Sequence, residues 1–249
     1  MKKIWRYSLC LACTLALSLC SAPAGALAAE PWDPFVVEDG VLVEYKGYSG
    51  PGPDIIVVIP DTVTSIGSGV FSYMRLDSVI IPDSVTEMGV NLFEWSTELT
   101  SVTLPSSLTE IPQGTFWACR GLTDVSIPES VTVIGDFAFA GCESLPRLFL
   151  PDGVTKMEKD TFYASDFPLY CRDGTYAADF IEQNGLHRGY YGDVNEDGRL
   201  NSSDARLVLQ HTVELVDLSP AEQLIADISD DGEVNSTDAR RILQAAVAA

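Results

Sequence analysis

Ile127-Pro128-Glu129-Ser130-Val131-Thr132-Val133-Ile134-Gly135, followed by Phe139 and Cys142, is the stretch that decides the fold, because its pattern recurs along the chain. The apolar-Pro pair at its head returns as Ile59-Pro60, Ile81-Pro82, Leu104-Pro105 and Leu150-Pro151, and the successive spacings are 22, 23, 23 and 23 residues. Eleven residues after each proline stands a phenylalanine: Phe71, Phe93, Phe116, Phe139 and Phe162. Self-similarity at such a period marks an array in which each unit is too small to bury its own apolar face, so stacking of neighbours builds the core.

Working outward from those columns fills in one unit. Leu76, Leu99, Leu122 and Leu145 open successive units, then come Val79, Val102, Val125 and Leu148, and then the apolar residue before the proline. The last two columns alternate with polar positions, the period of a strand with one buried face. Proline cannot donate to a ladder and so closes that strand. A turn follows (Asp83-Ser84, Ser106-Ser107, Glu129-Ser130), then a second apolar pair: Val63 and Ile66, Val85 and Met88, Leu108 and Ile111, Val131 and Ile134, Val154 and Met157. Gly67, Gly89 and Gly135 then turn the chain toward the phenylalanine.

These residues resemble the BspA-like leucine-rich repeats, whose unit runs from a strand through Ile-Pro, Ser-Val-Thr and Ile-Gly to Phe and Cys. The resemblance covers roughly residues 35 to 187. It implies a leucine-rich-repeat solenoid over residues 30–187, with a strand plus a turn or short helix per rung of about 23 residues. Val36 to Leu42 resembles the hairpin that opens such arrays, with Asp39-Gly40 as its turn. Gly174 to Gly185 resembles the helix that caps them. Such repeats are used for adhesion and for binding proteins or glycans. Tyr73, Trp95, Trp117 and Tyr163 lie just after the phenylalanine column and form a candidate ligand face; filling of gaps between rungs is the competing reading. Cys119 and Cys142 share one column, about 4.8 Å apart across neighbouring strands, which permits a disulfide. Met74, Ser96 and Ser165 fill the same column, which favours packing of two thiols.

Past a linker at residues 188–191, a second repeat occupies residues 192–249. Asp193, Asn195, Asp197, Asn201 and Asp204 stand at positions 1, 3, 5, 9 and 12 of a loop with Gly198 at position 6. Asp227, Ser229, Asp231, Asn235 and Asp238, with Gly232, repeat that spacing 34 residues later. Calcium takes six to eight oxygen ligands, and alternate residues of a tight loop can all turn oxygens inward, with position 7 adding its backbone carbonyl. Arg199 and Glu233 occupy position 7. Two calcium ions are expected, the second held less tightly because Ser229 replaces a stronger ligand. Leu200 and Val234, both at position 8, are placed to pair the loops.

Asp at position 12, then Ala-Arg and a short helix, is similar to dockerin modules: Asp204-Ala205-Arg206 to Gln210 matches Asp238-Ala239-Arg240 to Gln244. Ser219-Pro220 with Glu222 reads as a capped connecting helix between the copies. The resemblance implies a small all-α domain with EF-hand-like loops that binds a cohesin on a scaffold or cell-surface protein. The contact is implied at Ser202, Ser203, Leu209, Gln210 and Glu214, and in the second copy at Ser236, Thr237, Leu243, Gln244 and Ala248.

Residues 1–29 read as an export signal: Lys2, Lys3 and Arg6 precede the apolar run Leu9 to Leu19 and the small residues ending at Ala28. Without those three basic residues, 12 Lys and Arg stand against 36 Asp and Glu, a net charge of −24 that repels nucleic acid. No later stretch is long and apolar enough to span a membrane. Cys10, Cys13 and Cys20 fall in the signal, leaving Cys119, Cys142 and Cys171, an odd number that argues against a disulfide framework. His187 and His211 lie near no nucleophile motif and read as surface residues, and no phosphate loop, zinc spacing or nucleophile elbow occurs. The expectation is a secreted, non-catalytic adhesion protein held by a cohesin in a cellulosome-like polysaccharide-degrading assembly. A structural or regulatory subunit of that assembly with no external ligand is the alternative, and a polysaccharide-degrading enzyme the third.

Overall fold

The computed structural model describes residues 33–47 and 55–248. The expected export signal lies outside these residues. A hairpin of β1 (Phe35–Glu38) and β2 (Val41–Tyr45) opens the fold, followed by β3 (Ile56–Val58), β4 (Ser65–Ile66), β5 (Ser78–Ile80), β6 (Glu87–Met88), β7 (Ser101–Thr103), β8 (Glu110–Ile111), β9 (Asp124–Val125) and β10 (Val133–Ile134). Then come β11 (Leu148–Phe149), β12 (Lys156–Met157), β13 (Leu169–Tyr170), α1 (Tyr176–Asn184), β14 (Arg188–Gly189), α2 (Ser202–Thr212), α3 (Pro220–Ala226) and α4 (Ser236–Ala248).

The strands before Pro60, Pro82, Pro105 and Pro128 join a parallel sheet in the order β3-β5-β7-β9, with Ser78 opposite Ser101 and Ser101 opposite Asp124. The second apolar pair of each rung also forms strands, which the sequence reading does not assign. Their two residues put one side chain out and one in, as in Glu87 and buried Met88, so β4 and β6 continue from the hairpin and β8, β10 and β12 form a parallel run of their own. At the hairpin turn Asp39 and Gly40 have φ of 49° and 82°, as the expected two-residue turn requires.

Phe71, Phe93, Phe116 and Phe139 stack at centroid spacings of 5.5, 5.6 and 5.3 Å, and Phe162 follows at 6.0 Å. They form the spine of one buried cluster with the leucine, valine and isoleucine columns. Around the phenylalanines each described rung makes turns rather than the short helix the fold class allowed. The reason is a left-handed residue in each rung and two in four of the five, such as Asn91 (φ 57°) with Trp95 (φ 57°) and Gly114 (φ 63°) with Ala118 (φ 57°), which a right-handed helix cannot absorb. Rungs approach so closely that a Cβ on Gly89 would lie 2.3 Å from the backbone nitrogen of Ser68, and one on Gly135 2.5 Å from that of Gln113.

The first sheet ends at β9. Thr100 donates its N–H to Asp77 at 2.8 Å and Thr123 donates to Thr100 at 2.9 Å, but the next residue of that column is Pro146, which has no N–H to give. β11 pairs instead with β13, and β13 with β14, in a separate parallel sheet. The segment read as a linker thus opens with a short strand. A cleft of about 930 Å³ lies where the ladder is interrupted, lined by Val125 and Ile127 on one side, Phe149 and Leu150 on the other, and Tyr191 and Leu224 from the following chain.

Helix α1 closes the array: Thr175 caps its start, Gly185 at φ 62° ends it, and Ala177, Ala178, Phe180 and Ile181 are buried. Beyond β14, α2, α3 and α4 form a small all-α unit around Val194, Ala205, Val208, Leu218, Ala226, Ala239 and Ile242. Leu200 and Val234 both pack against this cluster. Helix α3 begins with the expected capping box between Ser219 and Glu222 and has Pro220 in its first turn. No helix among the described residues is long and apolar enough to cross a membrane.

Candidate functional site

The two acidic loops fold almost atom for atom alike. In the first, the Asp193 carboxylate accepts from the N–H groups of Asp197 at 3.2 Å and Gly198 at 2.9 Å; in the second, Asp227 accepts from Asp231 at 3.3 Å and Gly232 at 2.9 Å. At position 12, Asp204 accepts from Asn195 at 3.3 Å and Asn201 at 2.9 Å, and Asp238 from Ser229 at 3.0 Å and Asn235 at 2.9 Å. Asn201 and Asn235 each accept at 2.8 Å from the residue two positions on, Ser203 and Thr237, and so start the following helix. Arg199 and Glu233 donate their N–H groups to Asp197 and Asp231, while their carbonyls face the amides of Asn201 and Asn235.

Asp193, Asp204 and Asp238 are buried, and among the described residues no lysine, arginine or histidine pairs with them. Burial holds the Asp193 carboxyl above its ordinary range; the Gly198 N–H opposes this, and the Asp204 and Asp197 charges add to it. Hard cations take oxygen ligands, and each loop carries carboxylates together with amide or hydroxyl oxygens, with Asp193 and Asp204 buried in the first loop and Asp238 in the second. No group of three His, Cys, Asp or Glu side chains is drawn together as a metal site among the described residues.

The residues implied in partner contact run from the first residue of α2 to just beyond its last turn, and along the length of α4 in the second copy. Ser202 and Ser236 are the exposed first residues of α2 and α4, with Ser203 and Thr237 half-buried behind them. Leu209 and Leu243 match in place and in exposure, at 45% and 43%. Gln210 is half-buried, Gln244 exposed. The copies diverge at their ends: α4 runs to Ala248, whereas α2 stops before Glu214, whose φ of 58° and N–H bond to His211 close the helix. Val213, Leu215 and Val247 add exposed apolar surface there. His211, read as a surface residue, is half-buried, with Nδ1 3.2 Å from the Val216 carbonyl and 3.4 Å from the Leu218 nitrogen. His187 is exposed, 3.9 Å from Asp166.

Comparison with known proteins places both halves. Residues 55–167 match the BspA type leucine rich repeat region, in six copies. Residues 191–245 match the dockerin type I domain. The chain thus carries a BspA-type repeat solenoid followed by a helical region at the place of the dockerin match. Both modules are non-catalytic folds, and dockerins are in general calcium-binding and imply a cohesin partner; together the matches support a general adhesion or binding role. Among solved structures, a T. pallidum leucine rich repeat protein is 27% identical, with TM-score 0.49, over 53% of this chain and 63% of that one. A leucine rich cell surface protein of Faecalibacterium prausnitzii is 30% identical, TM-score 0.49, over 60% and 38%. One from Bacteroides ovatus is 27% identical, TM-score 0.48, over 54% and 38%. The chain therefore spans less than two thirds of each of these proteins. No curated protein matches it.

On the repeat array, Tyr73, Trp95, Trp117 and Tyr163 are all exposed, at 69%, 40%, 37% and 63%. They fall into two groups rather than one row. Trp117 lies 5.6 Å from Phe137, which lies 6.3 Å from Tyr163. Trp95 sits under the Arg120 guanidinium at 5.6 Å, and Tyr73 donates to Glu94 at 3.4 Å. Three of the aromatics, Tyr73 (φ 58°), Trp95 (φ 57°) and Phe137 (φ 54°), occupy left-handed positions that other rungs fill with Gly69, Gly114, Gly141, Ala118 or Ala164. Phe137 and Arg120 escaped the sequence reading. Phe137 was visible only as an aromatic in the Gly69, Asn91, Gly114 column.

Proposed function

We propose that this chain is a secreted, non-catalytic binding protein whose dockerin-like module, folded around two calcium ions, docks onto a cohesin of a polysaccharide-degrading assembly while the repeats hold a protein or glycan. The observation that carries the reading is the duplication of the loops. Two segments 34 residues apart adopt one hydrogen-bond network with a buried carboxylate at position 12 of each. Asp193, Asn195, Asp197, Asn201 and Asp204 would hold one ion together with the Arg199 carbonyl. Asp227, Ser229, Asp231, Asn235 and Asp238 would hold the other with the Glu233 carbonyl. The ion supplies the positive charge that lets neighbouring carboxylates share a small loop, and so contributes to folding.

The near-equal exposure of Leu209 and Leu243, each about two turns along its helix from exposed Ser202 or Ser236, supports α2 and α4 as the docking face. The aromatics of the repeat turns support the array as the cargo-holding part, since large side chains in left-handed positions are strained and strain of this kind collects at functional sites. Calorimetric titration of the chain from Glu30 onward against a panel of cohesins, with calcium and with chelator, tests the reading. Binding of at least one cohesin in calcium alone is the expected result. Uptake of two ions without cohesin binding would leave a calcium-stabilised terminus and move the function to the repeats.

A further inference from the structure

Two arginines of the array reach the same position in the two loops. Arg147 Nη1 lies 2.7 Å from Glu196 Oε1, and Arg172 pairs with Asp230. Glu196 and Asp230 are each the fourth residue of a loop, outside the ligand set, and both are left-handed, at φ 54° and 60°. Arg147 follows Pro146 in the interrupted rung and occupies the outward column held elsewhere by Ser78, Ser101 and Asp124. Its side chain is only 21% exposed, and neither its Nε nor its Nη1 has a partner in hydrogen-bond geometry among the described residues, so Nη1 meets Glu196 as a close charge contact. Arg172 also bonds Asp152 at 3.2 Å and lies 5.5 Å over the Tyr191 ring.

Tyr191 in turn packs 6.3 Å from Phe149 and 5.9 Å from Tyr170 at the end of the array. The next residue, Gly192, already belongs to the helical unit: its N–H donates to the Ile225 carbonyl at 2.7 Å, and a Cβ there would strike Leu200 and Ile242. Consecutive residues therefore make the aromatic contact on the array and the contact with the core of the module.

Resting on the calcium reading above, we propose that the last rungs of the array are a docking surface for the calcium loops of the chain's own C-terminal module, so that filling the loops and seating the module are one linked equilibrium. A left-handed fourth residue aims its side chain outward only while the loop is wrapped. Without an ion the carboxylates at positions 1, 5 and 12 repel one another, and Glu196 and Asp230 lose the placement that meets the two guanidinium groups. Conversely, a seated module holds both loops wrapped before the ion arrives, which lowers the ordering cost of binding. Reciprocity requires the two effects to be equal in free energy.

The test compares the chain from Glu30 onward with its R147Q/R172Q variant and with R75Q/K156Q, which removes the same charge from array sites that touch neither loop. Calcium affinity is read by calorimetry and seating by small-angle scattering, each with calcium and with chelator. The parent and R75Q/K156Q are expected to be compact with calcium and extended in chelator. R147Q/R172Q is expected to bind calcium about fivefold or more weakly and to be extended at calcium levels that keep the parent compact. The sign is diagnostic, because arginines acting only as nearby positive charge would oppose the cation, and their removal would tighten binding. Calcium affinity in R147Q/R172Q that is unchanged or tighter overturns the coupling and leaves the calcium sites standing. A parent chain that takes up no calcium overturns the calcium reading and the coupling with it. E196Q/D230N, made on the opposite side of the same pairs, must reproduce the loosened scattering profile; if it stays as compact as the parent, the ion pairs do not seat the module.

Discussion

The Cys119 thiol donates to the Phe93 carbonyl at 3.0 Å, as the Ser96 hydroxyl donates to Phe71 at 2.7 Å one rung earlier. Cys142 and Ser165 extend the series to Phe116 at 3.3 Å and Phe139 at 2.8 Å. All the described cysteines are free. The column is a ladder of side-chain donors tying each turn to the rung before it, and sulfur and oxygen serve alike. Cys119→Ser is expected to stay within about 0.5 kcal/mol of the parent, whereas Cys119→Ala, which leaves the Phe93 carbonyl only the Ser96 N–H at 3.0 Å, costs about 1 kcal/mol. Urea unfolding of both variants measures the difference.

Burial pushes the Cys142 thiol up to about 12 and the Cys119 thiol well above its ordinary value. A raised value means that the folded chain favours the neutral thiol, so the stability it contributes is intact below about pH 9 and is lost as pH climbs from there. Between pH 9 and 10 the parent should lose more stability than C119S/C142S. Iodoacetamide should modify both thiols only at the rate of unfolding, since the thiolate is the reactive form. Rapid labelling of the native chain at pH 8 would contradict this.

Pro146 leaves the Thr123 rung without the donor that Thr100 and Thr123 provide to their neighbours. Pro146→Thr supplies an N–H in a column that already holds threonine twice. Hydrogen exchange should find the new amide protected to the level of Thr123, with stability unchanged or raised by up to about 1 kcal/mol. An amide at 146 that exchanges like an open loop would show that something other than the proline parts the two sheets.

Tyr73 carries a large side chain at φ 58° and is 69% exposed. Were it there to cover the rungs, removing it would destabilise the array. Tyr73→Gly instead relieves left-handed strain, and is expected to raise stability by about 1 kcal/mol while weakening whatever ligand the face holds. Thermal unfolding of the variant is sufficient: a lower midpoint would return Tyr73 to a packing role.

Asp204 is fully buried and takes N–H bonds from both Asn195 and Asn201, so it closes the first loop and starts α2 together. Asp204→Ala should reduce calcium uptake from two ions to one and cost about 1 to 3 kcal/mol in saturating calcium. Asp238→Ala should do the same to the second loop. Native mass spectrometry counts the ions; loss of both from one substitution would mean that the loops fill only together.

Much of the fold could be read from the chain because its information is periodic. A 23-residue repeat places the same residue types at the same height in every rung, so the buried columns follow from spacing, while the Asp39-Gly40 hairpin and the cap at Thr175 to Gly185 lie outside the repeat and are implied by the resemblance to known arrays. The loops were legible for the same reason, since ligand spacing is local and occurs twice. The second strand of each rung was not, because two residues carry too short an alternation to distinguish a strand from a turn. The aromatic face was read as one row, yet Tyr73 and Trp95 stand two residues after the phenylalanine of their rung and Trp117 and Tyr163 only one, a difference the spacing already carried and the pairing of rungs makes plain.

By itself, then, the sequence determined the repeat array, the duplicated acidic loops and their order along the chain, all of which depend on residues near one another or at a constant interval. Only the tertiary structure decided that the first sheet ends at β9, before Pro146, that Arg147 meets Glu196, and that Arg172 meets Asp230. Those contacts join columns of one repeat to positions of another, with no common period between them. They exist because the last rungs and the first helical residues are packed together through Tyr191 and Gly192, and a spacing within either repeat carries no record of that meeting.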